Sequence, residues 1–368
     1  MRIEEPVLLD YNDVLIKPKR STLRSRNDVD LNRTYIFKYS QKKWTGVPIV
    51  AANMDTVGNF SMAKALSQYN LMVAIHKHYQ LNDWVNNYVG LSDHEQTNVW
   101  FSIGTTERDQ KNLNDLLNST RTDHYSVVDW GDGNHYPIDK ICLDVANGYS
   151  EHFVEVIQRI RENFPDIIIM AGNVVTSDMT EQLILAGADV VKVGIGPGSH
   201  CTTRKMTGVG YPQLSAVAEC ADAAHGLGGL VCADGGCSTP GDISKAFGAG
   251  ADFVMIGGMV NGTDQADGEE IRNEHGELTH KISYGMSSTV AQQKHGSGIK
   301  EYRASEGRVV KVPYRGDVTK IIQEILGGLR STCTYVGAKT LKELPKRTTF
   351  IKVNSQLNKV YENNTIGS

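Results

Sequence analysis

The sequence predicts an α/β protein whose eight parallel strands alternate with helices around a closed barrel. Eight short apolar segments rich in β-branched residues recur along the 368 residues, and they are continuously apolar, as strands covered on both faces are. Segments with helical periodicity separate them, and this alternation is typical of a (β/α)8 or TIM barrel. The expected strands are 47–51, 71–75, 99–103, 141–145, 167–170, 190–193, 230–233 and 253–256.

The segments between the later strands carry helix start and stop signals. Ser150 precedes a segment whose apolar residues fall on one helical face, so it is the expected N-cap. Two further segments begin with a threonine and end in the same Ala-Gly-Ala-Asp sequence, where the glycine suits a helix C-terminus. The expected helices cover 151–164, 176–188, 239–251 and 318–329.

A doubly wound open sheet is the alternative fold. Such sheets usually carry a glycine-rich fingerprint after the first strand, whereas residues 53–56 read Asn-Met-Asp-Thr. We therefore predict one barrel domain over residues 1–368, with a surface insertion at 119–139 and a flap region at 261–318. The basic, polar tail at 338–368 is expected to pack on a neighbouring subunit.

Composition and charge exclude several classes of protein. The formal net charge is −4 and no basic stripe is present, so general affinity for nucleic acid is not expected. No apolar run approaches the roughly 18 residues of a membrane span, and the N-terminus carries acids where a signal peptide carries bases. We expect a soluble cytoplasmic protein that binds no membrane. The six cysteines form no CxxC pair, which argues against a zinc site.

The loop after the sixth expected strand presents a cysteine. Residues 194–204 read GIGPGSHCTTR, and Cys201 lies on this glycine-rich loop. A thiol in this position is a candidate nucleophile. A tight turn that holds a buried, inert cysteine explains the same residues, and local sequence alone leaves the two interpretations open.

Glycine pairs follow the last two expected strands. Asp234 precedes Gly235 and Gly236, and Gly257 and Gly258 follow the eighth strand. In (β/α)8 barrels phosphate commonly binds at these two loops, where paired glycines let backbone N–H groups approach it. The Asp234 carboxylate could accept both hydroxyls of a ribose. Ordinary turn geometry is the alternative for each pair, but together they indicate a nucleoside monophosphate beside a thiol.

These residues together resemble the IMP dehydrogenase/GMP reductase family over nearly the whole chain apart from 119–139. The resemblance rests on residues 13–15, 52–57, the Cys201 loop, 234–236 and 284–287. The chain looks closer to the family's reductases than to its dehydrogenases. It lacks paired regulatory domains after the second strand, and the flap sequence EYRASEG at 301–307 lacks the Arg-Tyr element of the dehydrogenases. Residues 331–337 and 347–350 also look reductase-like.

The resemblance implies NADPH-dependent reductive deamination of GMP to IMP and ammonia. Cys201 would attack purine C2 and form a covalent thioimidate, while Thr203, coupled to Glu306, would protonate the leaving amine. Three alternatives remain: IMP dehydrogenase activity (IMP and NAD to XMP), a non-catalytic purine-nucleotide-binding protein, and a barrel enzyme for another phosphorylated metabolite. GMP and IMP are the implied ligands, in a homotetramer that shares the cofactor site.

The resemblance also implies three sets of binding residues. The substrate set is Asp234, Gly235, Gly236, Gly257, Gly258, Gly285, Met286, Ser287, Arg303, Ala304, Ser305 and Gly307. The cofactor set, partly supplied by a neighbouring subunit, is Ser25, Arg26, Lys77, Asp144, Val145, Ala146, Ile195, Gly196, Met286, Tyr302, Arg303, Ser331, Thr332, Cys333 and Thr334. A potassium ion would be held at Gly196, Gly198, Cys201 and Arg204.

One residue of the cysteine loop departs from the family's pattern. His200 stands where the family usually has an aliphatic residue. The sequence favours a tolerated loop substitution over a catalytic group at this position.

Overall fold

A computed structural model describes residues 3, 7–118, 121–122, 125–129, 135–295, 304–354 and 356. Within these ranges the strands are β1 (Val14–Ile16), β2 (Arg33–Ile36), β3 (Lys43–Gly46), β4 (Ile49–Ala51), β5 (Met72–Ile75), β6 (Val99–Ile103), β7 (Arg121–Thr122), β8 (Tyr125–Asp129), β9 (His135–Pro137), β10 (Lys140–Asp144), β11 (Ile168–Val174), β12 (Val190–Val193), β13 (Leu230–Asp234), β14 (Phe253–Ile256), β15 (Glu270–Arg272), β16 (Leu278–Tyr284), β17 (Val309–Pro313) and β18 (Phe350–Lys352).

The helices surround these strands. They are α1 (Phe60–Ser67), α2 (Leu81–Val89), α3 (Asp93–Gln96), α4 (Glu107–Asn118), α5 (Glu151–Asn163), α6 (Ser177–Leu185), α7 (Thr203–Thr207), α8 (Gln213–Gly226), α9 (Pro240–Gly248), α10 (Thr289–His295), α11 (Val318–Val336) and α12 (Leu344–Arg347). None of these described helices combines the length and the apolar composition needed to cross a membrane.

Eight parallel strands close into the predicted barrel. Their order is β4-β5-β6-β10-β11-β12-β13-β14, and β14 closes the ring by pairing with β4. Each of the eight strands expected from the sequence overlaps one of these, so the predicted (β/α)8 fold is confirmed. Functional loops in this fold follow the C-terminal ends of the strands.

Aromatic residues seal the opposite, N-terminal end of the barrel. The antiparallel hairpin of β2 and β3 places Tyr35 and Trp44 against Phe253, the first residue of β14, with ring centroids 4.8 and 5.8 Å apart. The Tyr35 hydroxyl donates a hydrogen bond to the Asp252 carbonyl oxygen at 2.7 Å. A ligand therefore reaches the barrel from the other end.

The predicted helices begin at the expected caps. The Ser150 hydroxyl accepts a hydrogen bond from the Phe153 amide at the start of α5, and Thr239 forms a capping box with Asp242 at the start of α9. Phe153, with further apolar residues of α5, is buried on the predicted face. Burial of each such side chain contributes about 1.5–3 kcal/mol.

The segment predicted as a flap region forms an antiparallel sheet with a short helix. β15, β16 and β17 pair in that order, and Tyr284 at the end of β16 lies opposite Val309 at the start of β17. α10 follows β16. This region returns the chain to the barrel at Gly307, which forms an isolated antiparallel bridge with Cys201.

The remaining two predicted segments are partly described. Within 119–139, β7, β8 and β9 form a separate three-stranded antiparallel sheet, and the other residues up to 134 lie outside the described ranges. In the tail, β18 pairs with β1 of the same chain, so this part belongs to the chain's own fold. Residues 357–368 lie outside the described ranges. α11 continues seven residues beyond the predicted end at 329.

Candidate active site

The predicted catalytic residues form a continuous chain of hydrogen bonds. The Cys201 thiol donates to the Thr203 hydroxyl at 3.1 Å, and that hydroxyl donates to Glu306 Oε2 at 2.7 Å. The Thr203 amide also lies 3.5 Å from Cys201 Sγ. A thiol and a carboxylate that share one hydroxyl can exchange protons without water, so the arrangement suits nucleophilic attack coupled to proton transfer.

Backbone contacts join the cysteine loop to the flap region. Besides the bridge between Cys201 and Gly307, the Thr202 amide donates to the Glu306 carbonyl oxygen at 2.9 Å. The Glu306 amide in turn donates to the Ser287 carbonyl oxygen at 3.2 Å. Three segments that are separate in sequence are therefore held together beside the thiol.

Gly307 allows this close approach. A Cβ atom on Gly307 would lie 2.8 Å from the Ser288 nitrogen and 3.1 Å from the Gly285 Cα, so a side chain would push the flap away. Four of the predicted substrate residues of this region make contacts at this junction; they are Gly285, Ser287, Ser305 and Gly307. Met286 and Ala304 adjoin them in sequence. Tyr302 and Arg303 lie outside the described residues.

Three loops that carry glycines approach one another closely beside the thiol. A Cβ atom on Gly235 would lie 3.1 Å from the Gly198 nitrogen, and one on Gly258 would lie 2.6 Å from Ser199 Oγ. Gly235 and Gly236 have φ angles of +89° and +85°, which favour glycine. We call these residues the glycine cradle; its members are Gly198, Ser199, Gly235, Gly236, Gly257 and Gly258. Ser199 was not among the predicted residues, although its hydroxyl lies only two residues before the thiol in sequence.

A buried lysine joins two of the predicted binding carboxylates. Lys192, which is 2% exposed, donates to Asp234 Oδ2 at 2.9 Å and also contacts Asp144 Oδ1. The Asn173 side-chain amide donates to the same Asp234 oxygen at 2.9 Å. Neither Lys192 nor Asn173 was predicted. The signal for Lys192 was a charge inside an otherwise apolar strand.

This lysine keeps its partner ionised. Burial acts to raise the pKa of Asp144, but the charge and hydrogen bond of Lys192, aided by Lys77, lower it below its ordinary value. Burial acts to lower the pKa of Lys192, but the charges of Asp144 and Asp234 raise it well above its ordinary value. The predicted substrate carboxylate Asp234 and the predicted cofactor carboxylate Asp144 therefore lie on either side of one cation.

A second polar cluster fastens α10 to the barrel loops. Asp55, which is 3% exposed, accepts hydrogen bonds on Oδ2 from the Tyr284 hydroxyl at 2.6 Å and from Lys294 at 3.1 Å. His295 Nε2 lies 2.6 Å from the same oxygen, and its ring stacks on that of His78 with centroids 3.6 Å apart. Burial and the neighbouring His295 lower the pKa of His78 to about 3. No predicted motif connected these residues.

The predicted cofactor residues fall in two places. Lys77, Asp144, Val145, Ala146, Ile195 and Gly196 lie at the C-terminal ends of β5, β10 and β12, on the side of the thiol. Ser25 and Arg26 instead line a cavity of about 330 Å³ together with Thr334. Arg24 and Tyr335, which were not predicted, line the same cavity.

Three neighbours of Thr334 on α11 were also predicted to bind the cofactor. Cys333 is fully buried, and this burial, with Glu343, raises its pKa to about 11, so its thiol faces the protein interior. The Ser331 hydroxyl donates to the Gly327 carbonyl oxygen, and the Thr332 hydroxyl lies 2.9 Å from that of Ser244. The hydroxyls of Ser331 and Thr332 are thus both engaged within the chain.

The predicted cation ligands lie on the cysteine loop. The Gly198 carbonyl oxygen accepts the Cys201 amide at 3.0 Å. The Arg204 guanidinium donates to Asp10 at 2.8 Å and to the Tyr211 carbonyl oxygen at 2.6 Å. A guanidinium has no acceptor atom, so Arg204 can contact a cation only through its backbone carbonyl oxygen.

Comparison with known proteins agrees with this geometry. The IMP dehydrogenase / GMP reductase domain family matches residues 8–359. The chain belongs to this family. Its sequence is 56% identical over 361 residues to the GMP reductase of Vibrio cholerae serotype O1 (strain ATCC 39541 / Classical Ogawa 395 / O395), covering 98% of this chain and 99% of the relative.

Relatives from two other organisms bear the same name. The GMP reductase of Caenorhabditis elegans is 56% identical over 360 residues, which cover 98% of this chain and 96% of the relative. That of Photobacterium profundum is 55% identical over 361 residues, covering 98% of this chain and 99% of the relative. The predicted family is confirmed, and with it the prediction of an oxidoreductase.

Proposed function

We propose that this protein catalyses the NADPH-dependent reductive deamination of GMP to IMP and ammonia, a step of purine nucleotide interconversion. The observation that carries the proposal is the hydrogen-bonded chain from Cys201 Sγ through the Thr203 hydroxyl to Glu306 Oε2. The names of the relatives supply the substrate class.

The reaction requires a group that is both a nucleophile and a leaving group. The Cys201 thiolate adds to purine C2, and the bond from C2 to the amino nitrogen breaks once that nitrogen is protonated. The proton that leaves the Cys201 thiol passes through the Thr203 hydroxyl to the Glu306 carboxylate. Thr203 then returns it from Glu306 to the amino nitrogen, which departs as ammonia and leaves a thioimidate on Cys201. NADPH, when bound, supplies the hydride that C2 needs before the thiolate can leave as IMP is formed.

The glycine cradle is the proposed phosphate site. Its backbone N–H groups and the Ser199 hydroxyl can donate to phosphate oxygens, which accept hydrogen bonds only. Asp234, at the end of β13 and held by Lys192, is placed to accept the ribose hydroxyls. Gly285, Met286 and Ser287 would then contact the base, beside the thiol.

The residues at the predicted cofactor positions are chemically suited to bind NADPH. Asp144 offers an ionised carboxylate to a ribose near the thiol, and the cavity lined by Arg24 and Arg26 offers two cations to a phosphate group. We propose that Arg26 selects NADPH over NADH through the adenosine 2′-phosphate. Ser25, Arg26 and residues 331–334 would serve the cofactor site of a neighbouring subunit, in a cytoplasmic homotetramer.

A potassium ion is proposed at the cysteine loop. Carbonyl oxygens are hard ligands suited to such a cation, and those of Gly196, Gly198 and Cys201 would hold it with that of Arg204. The Gly198 oxygen already accepts one hydrogen bond, but its second lone pair can still coordinate an ion. The ion would brace the loop that presents the thiol.

The proposal is tested by the absorbance of NADPH with GMP, with ammonia assayed in parallel. We expect GMP-dependent oxidation with equimolar ammonia, and no turnover by Cys201→Ala. Cys220→Ala is the matched control, since Cys220 lies buried in α8. Turnover by Cys201→Ala would refute the covalent mechanism. NAD reduction with IMP and none with GMP would assign the dehydrogenase activity instead, and tight GMP binding without turnover would assign a binding protein.

A further inference from the structure

His200 occupies the position between the glycine cradle and the catalytic thiol. It follows Ser199 and precedes Cys201, and it is only 8% exposed. A Cβ atom on Gly258 would lie 3.8 Å from His200 Cε1, the ring carbon between the two nitrogens. One on Gly285 would lie 3.5 Å from His200 Cβ. The nitrogen-bearing edge of the ring therefore faces the cradle.

The two ring nitrogens have different surroundings. Nδ1 lies 3.2 Å from the Ser199 hydroxyl oxygen, the same oxygen that lies 2.6 Å from a Cβ placed on Gly258. Nε2 is buried and has no hydrogen-bond partner among the described residues.

We propose that His200 is a positioning residue of the phosphate site, whose Nδ1–H donates to the Ser199 oxygen and directs the Ser199 proton toward a phosphomonoester. A phosphate oxygen accepts hydrogen bonds, so the single hydroxyl proton of Ser199 has to point to it. With its proton directed to the phosphate, the Ser199 oxygen can accept a hydrogen bond on its other side. His200 Nδ1 lies 3.2 Å from that oxygen, which is within hydrogen-bond distance. This role rests on the proposed function and adds a residue to the phosphate site.

The expected effect follows from one neutral hydrogen bond. A bond of this kind contributes about 1 kcal/mol, which is about a five-fold change in affinity. His200→Leu, which keeps the volume but removes both nitrogens, should weaken GMP binding about five-fold with kcat little changed. His200→Asn places an amide N–H near the position of Nδ1, so it should restore affinity to within about two-fold of the wild type.

A double-mutant cycle separates positioning from a structural role. Ser199→Ala should weaken GMP binding about 10- to 100-fold, because a hydrogen bond to a charged group is lost. His200→Leu should then add nothing in the Ser199→Ala background, since its effect passes through the missing hydroxyl. Isothermal calorimetry with GMP measures all four proteins. If His200→Leu lowered GMP affinity by the same factor in the wild type and in Ser199→Ala, the proposal would be overturned.

The tautomer of the His200 ring can be measured by nuclear magnetic resonance, which requires neither turnover nor GMP. Histidine side chains labelled with ¹⁵N should include one Nδ1–H tautomer that disappears in His200→Asn and shifts when inorganic phosphate is added. His275, exposed in the turn between β15 and β16, serves as the internal control. An Nε2–H tautomer, or no shift at saturating phosphate, would refute the inference. A phosphate-dependent shift without GMP turnover would overturn the proposed function alone.

Discussion

Replacing Lys192 by methionine tests whether the bridge between the two carboxylates holds the site together. Methionine keeps the length and the apolar stem of lysine but removes the ammonium group. Asp144 and Asp234 then remain beside each other with no cation between them. Breaking a fully buried ion pair by removing one partner costs about 3–5 kcal/mol, because the remaining charge is left uncompensated. The side chains of Asp144 and Asp234 are 30% and 22% exposed, so this range is the upper limit of the loss.

This loss should be visible as a lower melting temperature. The unfolding entropy of a 368-residue chain is about 0.8 kcal/mol/K, at about 2.1 cal/mol/K per residue. A loss with an upper limit of about 3–5 kcal/mol lowers Tm near pH 8 by up to about 4–6 °C. Lys64→Met is the matched control, since Lys64 is exposed on α1 and its replacement should change Tm by less than about 1 °C.

The pKa shift of Asp144 determines how the stability loss of Lys192→Met changes with pH. In the wild type the folded pKa of Asp144 lies below its unfolded value, so its contribution to stability is present above the unfolded pKa and lost as pH falls through the folded pKa. Without Lys192, burial of Asp144 is opposed by fewer lowering contacts, so its folded pKa rises and its carboxylate takes up a proton at higher pH than in the wild type. The stability deficit of Lys192→Met should therefore shrink between pH 8 and pH 5.

Differential scanning calorimetry of wild type, Lys192→Met and Lys64→Met at the two pH values checks both statements. A Tm difference below about 1 °C at pH 8 would refute the buried bridge. If the Tm difference between the wild type and Lys192→Met were the same at both pH values, the stability loss would come from packing rather than from charge. Since the bridge joins the two proposed subsites, KM should rise for both GMP and NADPH.

The remaining predictions concern the proton path and the second cluster. Glu306→Gln should lower kcat about 10²- to 10⁴-fold while GMP binding by calorimetry stays within about three-fold, and full kcat would contradict the role of Glu306. Thr203→Ser should retain most of the steady-state rate that Thr203→Val loses, because only serine keeps the hydroxyl; equal rates would exclude a hydroxyl relay. Asp55→Asn should lower Tm more at pH 7 than at pH 3. Burial acts to raise the pKa of Asp55, but hydrogen bonds from Tyr284, His295 and Lys294 lower it below its ordinary value, so its contribution to stability is lost as pH falls through the folded pKa. An equal Tm loss at both pH values would contradict that assignment.

Local sequence predicted the strands and the helix starts because their causes are local. The eight apolar runs became the eight barrel strands, and Ser150 and Thr239 cap the helices that they precede. A capping bond spans three residues, so the sequence contains both partners. The order of strands in the barrel follows from the same alternation, since neighbouring strands in the chain pair in space.

Site residues that follow directly after a barrel strand could be predicted from the sequence, because the loops after the strands all lie at one end of the barrel. Cys201 and Gly235 were placed at one end of the barrel by that rule alone. The coupling of Thr203 to Glu306 required the resemblance to the family, since the two residues are 103 positions apart. No periodicity or spacing connects such residues, because the flap region that brings them together folds back through β15, β16 and β17.

The sequence by itself determined the barrel, its cysteine loop and the glycines that flank it. Only the tertiary structure decided that Lys192 joins two carboxylates, that Asp55 gathers Tyr284, Lys294 and His295, and that His200 faces Ser199. The physical reason is that backbone propensity and capping act within a few residues. The energy of a buried charge or hydrogen bond instead depends on which distant atoms the closed barrel places within about 3 Å of it.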